Sequence, residues 1–275
     1  MSFTPVIPFG GYAGWKFLTR TMDAQKAAFV ESATLQRDEA YFRAKIGTIG
    51  TAEDLVADRR LLLVALEAFG LGDDIDNKYF IRKVLEDGTL DAGALANKLA
   101  DKRYLEFSRA FGFGDFDVPR TRLSDFADGI LASYETRRFE EAVGAQSEEM
   151  RFGLNAEREL AKLSGRTISN DAKWFSVMGS APMRQVFQIA LGLPSSFAAI
   201  DLDQQLGTLK DRAERMFGSS DIAQFSDPQK VEDLVRLYLL RAEAQGTGSV
   251  YSAQSAALTL LQSAATAGGF LSRLV

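Results

Sequence analysis

The sequence predicts an all-α protein, a multi-helical globular domain in which a long central helix links two similar helical units. Apolar residues recur at intervals of three and four along most of the 275 residues. No segment reads as a strand. Three apolar runs also end in the same way, with a glycine followed by another apolar residue, so we expect Gly70, Gly112 and Gly192 to end helices in the left-handed conformation.

The composition narrows the possible functions. Apolar residues make up 46% of the chain, which is enough for a sizeable core, and the net charge of −5 argues against a nucleic-acid-binding surface. The chain contains no cysteine and no histidine, so thiol nucleophiles, Ser-His-Asp triads and the common zinc and haem sites are excluded. We therefore expect a protein without catalytic residues, metal or cofactor.

The N-terminal stretch is apolar and uncharged. Its prolines and glycines predict an extended arm over residues 1–20. The arm could lie in a groove of its own domain or dock on another subunit. Phe9, Tyr12 and Trp15 are the candidate partner-docking residues of this arm.

A first helical unit is predicted over residues 21–118. Within it, Thr51 and Asp54 have the spacing of a capping box, and Gly70 and Gly112 end two of its helices. An acidic run at residues 73–77 lacks the ligand spacing of a calcium loop, so we expect it to precede a helix.

Residues 119–168 predict a long connecting helix, in which Gly144 and Gly153 could introduce a bend or an interruption. A second, more divergent helical unit follows over residues 169–245. The last segment, 246–275, carries one charged residue and predicts a flexible tail, in which Leu258 and Leu261 are further candidate docking residues.

The two helical units show signs of an internal duplication. Asp58 lies twelve residues before Gly70, and Ser180 lies twelve residues before Gly192, and both polar residues suit the N-cap of a helix. Residues 38–116 and 170–245 are thus predicted to be two copies of one helical unit on either side of the long helix.

Three stretches together resemble a known family. They lie at residues 5–15, at 58–71 and at 96–104, and they read PVIPFGGYAGW, DRRLLLVALEAFGL and ANKLADKRY. In this order they resemble the alphaproteobacterial domain of unknown function 1217 family, whose members are often found among flagellar genes. The resemblance implies a role in flagellar assembly or structure, and it brings no catalytic residues.

The leading hypothesis is a non-catalytic interaction or structural protein associated with the bacterial flagellum, with protein partners and no nucleic acid. The alternative is a helical small-ligand-binding protein or a histidine-free enzyme of unknown reaction. The start of the sequence lacks the features of a Sec signal, and no apolar run is long enough to span a bilayer. We accordingly expect no integral membrane segment and either a cytoplasmic location or export through the flagellar apparatus.

Overall fold

The computed structural model describes residues 3–250, with side chains up to residue 245, and this part of the chain is all-α. It contains thirteen α-helices, short 3₁₀ turns and no strand. The helices are α1 Gly11–Val30, α2 Ala33–Lys45, α3 Ala52–Ala57, α4 Arg59–Phe69, α5 Lys78–Asp87, α6 Leu95–Lys98, α7 Arg103–Phe111, α8 Phe126–Gly144, α9 Glu148–Ser164, α10 Asn170–Gly179, α11 Ala181–Ala190, α12 Leu202–Phe217 and α13 Pro228–Val250.

Local capping signals fix several helix boundaries. Thr51 accepts a hydrogen bond from the backbone N–H of Asp54, and the Asp54 carboxylate accepts one from the backbone N–H of Thr51, which is the predicted capping box. Asp58 then caps α4 by accepting from the N–H groups of Arg60 and Leu61. Each such cap satisfies backbone donors that would otherwise lack a partner at the start of a helix.

The same three-helix packing occurs in both halves of the described chain. In the first half, α4 packs against α8, and α2 packs against both of them. In the second half, α11 packs against α13, and α9 packs against both of them. Helices α8 and α9 also contact each other, and α1 contacts both α8 and α13, so one continuous hydrophobic core joins the halves.

The prediction of one long connecting helix over residues 119–168 is wrong, because this stretch forms two helices that pack against each other. α8 ends at Gly144, and α9 begins after Ser147, whose hydroxyl accepts a hydrogen bond from the N–H of Met150. A Cβ atom at Gly144 would lie 2.4 Å from Cδ of Arg151, so glycine allows the first turn of α9 to approach. The chain therefore reverses here, and α8 and α9 belong to different halves.

The extended arm predicted over residues 1–20 is also shorter than expected, because α1 begins at Gly11. Residues 3–10 are irregular, as predicted. A Cβ atom at Gly14 would lie 1.9 Å from the carbonyl oxygen of Phe9 and 2.6 Å from Cε of Met150. Gly14, one of the glycines that argued against a helix, is thus required by close packing around the first turn of α1.

Candidate functional site

The three glycines singled out in the sequence lie at helix ends. Gly70 has φ +71°, Gly112 has φ +68° and Gly192 has φ +67°. After Gly70 and Gly192, the N–H of Leu71 and that of Leu193 each donate to the carbonyl five residues back at 2.9 Å. At Gly112 the glycine N–H itself donates to the carbonyl four residues back at 2.8 Å. These positions are structural, and two of them share one capping geometry.

An arginine from the partner helix covers each of the two matching helix ends. Nε of Arg137 on α8 donates to the carbonyl of Ala68 at 3.0 Å, and Arg241 on α13 donates to the carbonyl of Ala190. A cation at a helix C-terminus interacts favourably with the helix dipole. Burial, together with the neighbouring guanidinium of Arg158, lowers the pKa of Arg137 to about 10.

Buried ion pairs connect the two halves along the contact between α8 and α9. Arg158 on α9 holds Glu140 on α8 through two hydrogen bonds of 2.7 and 3.1 Å, and it also contacts Glu159. A cavity of about 370 Å³ opens beside this network, lined by side chains of both signs, including Arg103, Arg151 and Asp73. Its mixed charges do not single out an anionic or a cationic ligand.

The N-terminal arm is tied to its own chain over residues 3–10. The side-chain amide of Gln25 accepts from the N–H of Val6 at 2.6 Å and donates to the Val6 carbonyl at 3.1 Å. Gln146 donates to the carbonyl of Pro5 at 2.5 Å. These bonds leave Phe9 61% exposed, so this candidate docking residue is available to a partner.

Two further docking candidates are not free. Trp15 is fully buried, with its indole packed against Gly153 of α9 and near Val235 of α13, so it is a core residue and its prediction as a docking residue is wrong. Tyr12 is partly buried, and its hydroxyl donates to Glu232 at 2.7 Å, which raises the pKa of Tyr12 to about 12. Leu258 and Leu261 lie outside the described residues.

An exposed apolar surface that sequence reasoning missed lies on two segments, the loop between α5 and α6 and the segment between α7 and α8. Leu90 is 74% exposed and Val118 is 64% exposed, and Phe116 and Leu123 are exposed in the same segments. The guanidinium of Arg120 lies 5.2 Å from the centre of the Phe116 ring. We call Leu90, Phe116, Val118 and Leu123 the apolar loop surface.

Hydrogen bonds to Asp115 hold together the two loops that carry this surface. Asp115 accepts from the N–H of Thr89 at 2.5 Å, from its hydroxyl at 2.8 Å and from the N–H of Leu90 at 3.1 Å. Burial opposes ionisation of Asp115, but these bonds outweigh it and keep its pKa below the usual value. A Cβ atom at Gly114 would lie 2.3 Å from the Glu86 carbonyl oxygen, so the loops touch only because glycine stands there.

The described residues contain no group of three or more acidic side chains placed to hold a metal ion. Over the same part of the chain, every helix is too short or too polar to cross a membrane. The candidate binding features of the described residues are therefore apolar and charged surfaces on a helical fold.

The fold defines an all-α protein with two similarly packed halves. The chain belongs to a family described as protein of unknown function (DUF1217), whose model matches residues 68–231. It is similar to the crystal structure of protein AGR_C_984 from Agrobacterium tumefaciens, with 26% sequence identity and a TM-score of 0.72, over 88% of this chain and 99% of that one. No curated protein matches the chain.

Proposed function

We propose that this chain is a non-catalytic protein that binds an apolar segment of a partner protein on the apolar loop surface. We further propose that this binding has a role in flagellar assembly or structure. The observation that carries the binding role is a set of large apolar side chains held in solvent by two rigid loops. The flagellar setting rests on the family resemblance in the sequence.

The rigidity of the loops is what distinguishes this surface from scattered exposed residues. Single exposed apolar side chains are normal, but several on adjoining loops are typical of interaction sites. Because Asp115 fixes the loops beforehand, little conformational entropy is lost when a partner binds. Burying side chains such as Leu90 and Val118 would each contribute about 2 kcal/mol.

Binding is tested by the double variant Leu90→Ser with Val118→Ser. Tyr79→Ser is the matched control, because Tyr79 is 83% exposed on α5 and lies outside the apolar loop surface. We expect the double variant to fold normally and to lose co-purification of a defined flagellar component, while the control retains it. Undiminished binding by the double variant would place the interface elsewhere.

The flagellar setting is tested separately in the organism of origin. Deletion of the gene should reduce motility or filament assembly, and the wild-type gene and Tyr79→Ser should restore it, whereas the double variant should not. Normal motility after deletion would refute the flagellar role and leave the protein-binding role to be judged by the binding assay alone.

A further inference from the structure

A second cavity, separate from the apolar loop surface, lies between α1, α8 and α9. Its volume is about 320 Å³, at the small end of the range of small-molecule sites, so its occupant must itself be small. The cavity is lined by Met22, Lys26, Thr136, Phe139, Glu140, Leu154, Glu157 and Arg158. Its floor is apolar, because Phe139 and Leu154 are core residues and Met22 packs against the core.

Four charged side chains line this cavity. Two of them form an ion pair with each other, and two have no ion-pair partner within the described residues. Arg158 and Glu140 bind each other through two hydrogen bonds, and both are nearly buried. Within the described residues, the side chain of Glu157 forms no ion pair or hydrogen bond, although it is half-buried. Lys26 also lacks an ion pair within that part of the chain, and its ammonium lies 5.7 Å from the centre of the Phe139 ring.

A carboxylate and an ammonium therefore line one cavity from two different helices without forming an ion pair with each other. Desolvating an unpaired carboxylate is costly, and an opposite charge supplied by a ligand removes that cost. Perturbed, unpaired ionisable groups in a cleft are typical of functional sites. Burial and the charge of Glu232 raise the pKa of Glu157 to about 7, which agrees with this geometry.

We propose that this cavity binds a small zwitterion with an apolar body, the chemistry of a free aliphatic or aromatic amino acid. The ligand ammonium pairs with the carboxylate of Glu157, and the ligand carboxylate pairs with the ammonium of Lys26. The apolar body packs against Met22 and the edge of Leu154, above the buried Phe139. This site is independent of protein binding at the apolar loop surface.

To test this proposal, the full-length protein is titrated with L-leucine and with L-phenylalanine. Binding is measured by calorimetry and by the methyl signal of Met22 in NMR spectra. We expect a saturable shift of this signal and binding that weakens about tenfold or more for leucinamide and for N-acetyl-leucine, each of which lacks one charge. Glu157→Gln and Lys26→Met should each weaken binding by a similar factor of about ten while the protein stays folded.

Glu148→Gln and Lys162→Met are matched controls, because they remove the same charges from exposed positions on α9. Both should bind within about twofold of the wild type. The proposal is overturned if neither amino acid shifts the Met22 signal up to about 20 mM. It is also overturned if the singly charged analogues bind equally well, or if Glu157→Gln binds like the wild type.

Discussion

Glu157 makes a quantitative prediction possible, because its carboxylate is half-buried and has no hydrogen-bonding partner within the described residues. Burial and the negative charge of Glu232 raise its pKa from 4.5 to about 7, and Lys26 and Lys16 offset part of this effect. Glu232 on α13 and Lys16 and Lys26 on α1 act on its charge, and Glu140 on α8 and Arg158 on α9 line the same cavity. Glu157→Gln keeps the shape of the side chain and removes the charge.

The sign of the effect follows from the direction of the pKa change. The folded state binds a proton at Glu157 more tightly than the unfolded chain does, so the contribution of this residue to stability is present below pH 4.5 and is lost as the pH rises through about 7. A pKa change from 4.5 to about 7 corresponds to about 3 kcal/mol at pH 8. Gln does not ionise and avoids this loss.

The assay is urea unfolding of the wild type and Glu157→Gln at several pH values between about 4 and 8. Because other groups titrate in both proteins, the difference between the two free energies of unfolding isolates Glu157. We expect a difference near zero at the acidic end and about 3 kcal/mol in favour of the variant at the basic end. Glu148→Gln should not reproduce this rise, and a flat difference for Glu157→Gln would refute the reasoning.

Two further pairs of variants test the packing and the ion pair between the halves. Gly153→Ala places a Cβ atom 2.9 Å from the Trp15 ring and should destabilise by about 2 kcal/mol, whereas Gly129→Ala meets no atom within 4 Å and should stabilise by about 0.5 kcal/mol in the same urea assay. Arg158→Leu leaves the nearly buried Glu140 unpaired and should destabilise by about 3 kcal/mol, with much of the loss recovered in the double variant with Glu140→Leu. Equal stabilities within either pair of proteins would contradict the packing described.

Features of the fold that depend on a few neighbouring residues could be predicted from the sequence. The capping box at Thr51 and the left-handed glycines at Gly70 and Gly192 are short-range signals, because the groups that interact are within five residues of each other. The all-α class follows similarly from helical periodicity, which is repeated along the chain and needs no knowledge of tertiary contacts.

Features that depend on contacts between distant residues could not be predicted. Helix α1 begins at Gly11 although glycine disfavours helices, since Gly14 must pass close to Met150, more than a hundred residues away. The apolar loop surface was missed for the same reason. Leu90 and Val118 are residue types that normally lie in cores, and only the complete packing shows that these two remain in solvent.

The contrast between Glu140 and Glu157 bears on why the second carboxylate is present at all. Both line one cavity, but Glu140 is held by Arg158, whereas Glu157 has no such partner within the described residues and lowers stability near neutral pH. Replacing a residue that only supports the fold makes the protein less stable. Replacing a binding residue that itself destabilises the fold makes the protein more stable but weakens ligand binding. Glu157→Gln separates these cases. If the proposed site is correct, this variant has a higher free energy of unfolding near neutral pH and a lower affinity for the amino acid.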